Sequence, residues 1–394
     1  MNILIIHKSE FSNMRYDVAV DHDEHSVVYF GEQAYLDNVP ANLRCTKVCG
    51  GAEERLGAAL DKYLSSAVKF DRIIARHELL IELAAEMRLK YGIPGMLPDT
   101  AINFRSKVRM KEVLSKTGIP TPLFVDAQAY DQIGWTGRTI VKPKDGSASR
   151  GVIDFASVSA AVEHLTHLDA STLSQLEVEE FIEGQIWHVD GYLHDGEVVV
   201  VGTSRYFGTC LEFMEGRPFG SIQCYNAELE SLAIRCVKAL GGVTLTFHLE
   251  AIESSRGFIF LEVAARAGGG YIVEMLERRT GTHLHSLAIA SEVKGSVDER
   301  FVSTADNGYV YGDFMYPGHI YEGAPVRVDT AVLSMADTNI VKHVVNENVP
   351  LTTLATYRPR NLPFSGVVQG LTSEAVIENI KAIFNTTVIM PIES

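Results

Sequence analysis

Over the first hundred residues, short apolar runs alternate with amphipathic helical stretches. Asn2 to His7, Val27 to Phe30 and Asp71 to Ala75 read as strands, the first continuous enough in apolar residues to be buried on both faces. Between and after them, Glu53 to Ser66 and His77 to Tyr91 carry helical spacing, the second closed by Gly92 and Pro94. Such alternation predicts an open parallel sheet with helices on both faces, an N-terminal Rossmann-like domain over 1–97. No GxGxxG follows the first strand, so the unit carries no dinucleotide fingerprint.

Beyond residue 98 the rhythm changes. A helix over Lys107 to Thr117 is stopped by Gly118 and Pro120. From Thr139 the strands pair by tight turns and read as antiparallel. Thr139 to Pro143 enters a small-residue loop, Lys144 to Gly151, and Val152 to Phe155 returns. After a helix at 157–167 come Glu177 to Ile182, Trp187 to Leu193 and Val198 to Thr203, with His194-Asp-Gly196 as a hairpin turn. A helix over Ala227 to Leu240 precedes a second hairpin, Thr244 to Glu253 with Phe258 to Val263, and two helices at Tyr271 to Thr280 and His283 to Ser291. His283 and His285 are two apart on the latter and read as structural. The strands Tyr309 to Met315, Val326 to Leu333 and Ile340 to Val344 and the helix Ser373 to Phe384 form a separate α+β portion from about 300. The expected division is thus 1–97, a central subdomain at 98–175, and a sheet domain at 176–394 with that portion appended; the class is α/β and α+β.

A formal charge of −15 excludes nucleic acid as the expected partner, while a cleft of opposite local sign stays compatible with it. The five cysteines are odd in number and contain no CxxC pair, as expected for reduced cytosolic thiols. The opening apolar run, Ile3 to Ile6, is too short for a signal peptide, and no segment approaches the ~20 apolar residues of a membrane span. A cytoplasmic protein without a membrane partner is expected.

The chemistry concentrates in the middle of the chain. Lys107 opens a helix, and Lys142 ends a strand that runs straight into the small-residue loop, where backbone N–H groups can approach phosphate oxygens. The absence of GxxxxGK[ST] rules out a P-loop. Glu179-Glu-Phe-Ile-Glu183 offers a strand edge and apolar side chains suited to a purine ring. Glu250 and Glu262 occupy comparable places on the two strands of one hairpin, so both carboxylates can enter one cleft. Facing acids repel unless a cation lies between them, and magnesium suits one or two carboxylates plus nucleotide phosphates. Arg266 follows four residues later, then Gly268-Gly-Gly270.

In this order the residues resemble the ATP-grasp superfamily, in particular its carboxylate–amine ligase branch with the L-amino-acid ligases. The resemblance rests on Gly92-Ile-Pro-Gly95, Arg105-Ser-Lys107, Gly118-Ile-Pro-Thr-Pro122, Val141-Lys-Pro143 with Asp145 to Gly151, Glu180-Phe-Ile-Glu-Gly184, Phe247-His-Leu-Glu250 and Glu262-Val-Ala-Ala-Arg266. It covers about 70–290. It implies ATP and Mg²⁺ as cofactors, with Lys107, Lys142, Ser147, Ser149 and Gly151 at the phosphates, Glu180, Phe181 and Ile182 at the adenine, and Glu179 also among the nucleotide-binding residues. It implies Glu250 and Glu262 at the metal, and Lys142 and Arg266 in catalysis. A substrate carboxylate would be activated as an acyl phosphate and captured by an amine, with ADP released. Arg205 and Gly268 to Gly270 are expected at the substrate.

Three positions depart from the family pattern. Its metal-binding Asn is Ala264, its ribose-binding Glu falls on Ile186, and its Asp before the first lysine is Ser106. Glu183 and His188 are the candidates to replace the ribose contact. The expected partners are small-molecule carboxylate and amine substrates. A carrier-protein thiol as acceptor, a small-molecule kinase, a nucleotide-binding protein with a decayed site, and a homodimer stay open at this level.

Overall fold

The computed structural model describes residues 1–66, 69–146, 149–303, 305–334 and 339–392. The N-terminal strands β1 (Asn2–His7), β2 (Ser26–Gly31), β3 (Thr46–Cys49) and β4 (Arg72–Ala75) form a parallel sheet in the order β3-β2-β1-β4. Alternate residues of β1 serve two cores. Ile3 and Ile5 pack with Tyr16, Tyr29 and Ile74, while Leu4 and Ile6 pack with Leu60, Leu80 and Ala84. Burial on both faces explains the unbroken apolar run. Strand β3, which the sequence pattern did not reveal, is the half-exposed edge of this sheet, and its TKVC carries no apolar alternation.

Next come β5 (Phe124–Asp126), β6 (Thr139–Pro143), β7 (Ile153–Phe155) and β8 (Leu176–Glu180), an antiparallel sheet in the order β5-β8-β6-β7. The helix Lys107–Ser115 begins beside it. Ser106 is its N-cap, with Oγ accepting from Arg109 N, and Lys107 N donates to Lys144 O at 2.8 Å. Ser106, in place of the family's Asp, thus still serves the helix start.

The largest sheet is antiparallel and has eight strands in the order β13-β12-β9-β10-β11-β14-β17-β16. They are β9 (Gln185–His194), β10 (Glu197–Phe207), β11 (Phe219–Gln223), β12 (Leu245–Ser254), β13 (Gly257–Ala264), β14 (Val310–Met315), β16 (Ile340–Val345) and β17 (Phe364–Gly370). The β9–β10 turn uses Asp195 and Gly196, both at positive φ, as a two-residue hairpin requires. One face of the sheet is covered by the helix Ala227–Ala239, whose Leu229, Ala233 and Val237 share a core with Phe247, Leu249 and Ala251. The other face is polar in its middle rows and holds the candidate site.

The expectation of a separate portion beyond residue 300 is corrected. Strands β14, β16 and β17 continue the main sheet, joined through β11, where Ser221 pairs with Asp313. All five residues of β11 are buried, so it shows no alternation and gives no strand signal. Only β15 (Val326–Thr330) and β18 (Thr387–Pro391) form a ribbon of their own. No helix among the described residues is long and apolar enough to cross a membrane.

Candidate active site

A row of side chains crosses three adjacent strands. Glu262 on β13 is the direct partner of Glu250 on β12, which is the direct partner of His188 on β9. A β-bulge follows Glu250, between Glu250 and Ala251. Cross-strand neighbours project to the same face, so both carboxylates lie on one wall of a cavity of about 480 Å³. Lys142, Glu179 and Glu180 line the same cavity from the smaller sheet, Phe181 and Ile182 from the segment after β8, Ser149 from the loop after β6, and Lys107 from the start of its helix.

The two lysines are held by different partners. Lys107 Nζ donates to Gly146 O at 2.5 Å and pairs with Glu262 Oε2 at 2.9 Å. Lys142 is paired with Glu179, which also takes Lys111 Nζ at 2.6 Å, while Lys111 reaches Glu177 at 2.9 Å. Two cations and two anions are thereby buried together. Burial alone would lower the Lys142 pKa, but Glu179 and Glu177 outweigh it and raise it. Burial likewise pushes Glu179 up, and the two lysines overcome it and hold the carboxyl low. Lys111 and Glu177 were missed in the sequence. Their signal was present: Lys111 is one helical turn beyond Lys107, and Glu177 is two residues before Glu179 on the same strand face.

The strand that follows Glu179 is tied down on one side. Glu180 N and Phe181 N donate to Leu123 O and Arg138 O, and Glu180 Oε1 accepts from Leu123 N and from Arg256 Nη2. The amide of Ile182 has no partner among the described residues. Arg138 lies 3.6 Å from the Phe181 ring centroid. In the loop, Ser149 and Gly151 have positive φ, of 53° and 72°. Ser147 lies outside the described residues. The loop's Arg150 donates to Ala355 O at 2.8 Å.

Arg266 is not among the described residues that line the cavity, but Glu262, which does, is within its electrostatic reach. Arg266 Nε donates to Glu78 Oε2 at 2.8 Å, and Arg105 Nη1 donates to Glu78 Oε1 at 2.7 Å. Burial works against ionisation of Glu78, and the two arginines more than offset it, so its pKa is lowered. Glu78 opens the first turn after β4 and had no motif to mark it.

A buried carboxylate organises the row below. Asp190 accepts from Gly268 N at 2.9 Å and lies 2.7 Å from His188 Nδ1 and 3.0 Å from His248 Nδ1. Burial disfavours the His248 cation, but Asp190 and Glu250 raise its pKa to about 10. Its Nε2 lies 3.5 Å from Glu250 Oε1, and Tyr206 donates to the same oxygen at 2.6 Å. A Cβ on Gly268 would come within 2.7 Å of Asp190 Oδ1, so this backbone approaches the carboxylate closely because the residue is glycine. Gly269 and Gly270 are exposed. Ala264, at the family's Asn position, is the cross-strand partner of His248.

Three expectations are revised. Arg205 pairs with Trp187 and Ile222, and its strand neighbours Ser204 and Tyr206 take the cleft side. Arg205 therefore faces the helix-covered side, within electrostatic reach of Glu374, and not the cleft. His188 is engaged by Asp190 and is not among the described residues lining the cavity, which removes it as a ribose contact. Glu183 is exposed and also absent from that lining, while Ile186 sits in it among Ile182, Ile252 and Leu261.

A parallel α/β domain followed by two antiparallel sheets that clasp one charged cavity is the ATP-grasp architecture, and the chain has that fold. No protein-family model matches it. It is 28% identical over 233 residues to the L-arginine-specific L-amino acid ligase of Bacillus subtilis, a match covering 53% of this chain and 54% of that protein. The chain therefore spans about half the length of this curated relative. It superposes on the L-amino acid ligase from Bacillus licheniformis with a TM-score of 0.74 at 16% identity, covering 100% of this chain and 99% of that one. The biotin carboxylase domain of 2-oxoglutarate carboxylase from Hydrogenobacter thermophilus, in complex with MgADP, ADP and bicarbonate, gives 0.64 at 15% identity, covering 100% and 91%.

Proposed function

We propose that this chain is an ATP-dependent ligase that activates a carboxylate as an acyl phosphate and transfers the acyl group to the amine of an amino acid. The carrying observation is the single cavity with Lys107 and Lys142 on one wall and the paired Glu250 and Glu262 on the other. The unpartnered amide of Ile182, at the apolar end with Phe181, suits the edge of an adenine. Lys107 and Lys142 are placed to take phosphate oxygens, Lys107 by leaving Glu262.

Glu250 and Glu262 form an all-oxygen donor pair at cross-strand distance, which fits magnesium. Bound there, magnesium would neutralise charge between these carboxylates and the nucleotide phosphates. The substrate carboxylate attacks the γ-phosphorus and ADP leaves. The amine then attacks the acyl carbonyl, and phosphate departs with the formation of an amide. Arg266, fixed by Glu78, stabilises charge on the oxygens that change most. The Bacillus subtilis relative's name supports amino acids as the substrate class.

The test is incubation with ATP, magnesium and the twenty common L-amino acids, followed by chromatography of the nucleotide and mass spectrometry of the products. ADP with a new amide is the expected result. AMP as the main nucleotide product would mean acyl-adenylate chemistry and would overturn the proposal.

A further inference from the structure

A second cavity, of about 390 Å³, lies in the seam between the N-terminal parallel sheet and the eight-stranded sheet. Arg76, Arg88, Gly95, Thr100, Thr244 and Glu292 are among its lining. Arg76 directly follows β4, so the cavity opens at the carboxyl end of a parallel strand, where α/β sheets take ligands.

Its charges do not balance. Glu292 is shared by two arginines, taking Arg76 Nη2 at 2.6 Å on one oxygen and Arg88 Nη2 at 3.2 Å on the other. Arg88 is 6% exposed, and the only other acceptor that it meets among the described residues is Ile73 O. The Nε of both arginines is buried and has no hydrogen-bond partner among the described residues. Burial lowers the Arg88 pKa, Glu292 opposes this, and Arg76 adds to the lowering. The neighbouring His285 is no source of negative charge: burial, His283 and Arg76 hold it neutral, with a pKa of about 3. Buried donors without acceptors and a surplus cation are both costly. Gly95 keeps the Arg88 edge clear, since a Cβ there would lie 2.7 Å from Nε.

We infer that this seam binds a small oxyanion, a carboxylate or phosphate group, on Arg76 and Arg88. The site shares no lining residue with the first cavity. It is nevertheless connected to that cavity: Arg76 is two residues from Glu78, the carboxylate that holds Arg266. An anion drawn onto Arg76 is therefore positioned to alter the setting of Arg266.

Calorimetry with inorganic phosphate and, separately, citrate tests this, each with a non-hydrolysable ATP analogue at saturation so that the main cavity is filled. The two probes separate a phosphate from a carboxylate preference. Arg76→Gln should weaken binding of the preferred probe at least about tenfold, and Glu292→Gln, which removes the competing carboxylate, should tighten it. Binding of the ATP analogue should stay within about twofold in both variants, and melting curves should show that they are folded. No binding of either probe, or affinities unchanged in both variants, would overturn the inference. Should the ATP analogue fail to bind, that would count against the proposed function, while the dependence of phosphate and citrate on Arg76 and Glu292 would still decide the seam site.

Discussion

Glu78 and Arg266, 188 residues apart in sequence, are joined by a 2.8 Å hydrogen bond that fastens the arginine of the large sheet to the N-terminal domain. Arg105 grips the other oxygen of Glu78, so the carboxylate is fixed from both sides. Arg266 is therefore oriented before any substrate arrives.

Removing it should act on rate more than on nucleotide affinity. Arg266→Ala is expected to lose about 10²–10³ in turnover, the usual cost of a preorganised charged donor. Arg266→Lys should rescue only in part, because a point charge lacks the planar fork. Glu78→Gln should follow the same pattern more mildly. Turnover and calorimetry with an ATP analogue check this; near-normal turnover in Arg266→Ala would remove its catalytic assignment.

Glu262→Gln should raise the magnesium concentration needed for half-maximal activity by at least about tenfold, as expected if one charged ligand is lost from a site of two. Its Lys107 partner also loses a counter-charge. A magnesium titration that overlays the wild-type curve would show that the cation is held elsewhere.

The buried quartet of Lys111, Lys142, Glu177 and Glu179 sets a stability test. Lys111→Met leaves Glu177 buried with Lys142 at 3.7 Å as its only cationic neighbour among the described residues. Breaking a buried pair on one side costs about 3–5 kcal/mol. A clear fall in Tm is expected, and Lys111→Met with Glu177→Leu should recover part of it. If the double variant melts below the single one, the charge argument fails.

Acid should destabilise the fold through half-buried histidines. Burial, reinforced by nearby cations, lowers the His77 pKa to about 4, and burial with His283 lowers that of His285 to about 3. Both are depressed below the ordinary value of 6.5, so their contribution is complete above that pH and is lost as pH falls toward 3–4. His285→Gln should flatten the decline of Tm between pH 6.5 and 4. An unchanged acid limb would contradict the assignment of His285 as neutral.

Much of this was legible in advance. Glu250 and Glu262 could be paired because a strand's period of two fixes which side chains share a face, and the hairpin turn fixed the register. Lys107 and Lys142 were visible because each adjoins a change of secondary structure. Arg205 misled because its neighbours Ser204 and Tyr206 face the cleft, and a shift of one residue on a strand reverses the side. Glu78 was invisible because its role exists only where two domains meet. The same is true of β11, a short and wholly buried strand whose burial leaves no pattern to read.

That strand has a consequence for how far the protein can be shortened. The carbonyls and amides along the outer side of β11 are satisfied by β14, which enters only at Val310. A chain stopped near residue 300 would keep every lysine and glutamate that lines the charged cavity, yet leave unpaired the outer edge of β11, a five-residue strand that includes Phe219 and Ile222. Such an open edge invites pairing with other molecules. A fragment of this kind should self-associate, because the last quarter of the chain is what seals that edge.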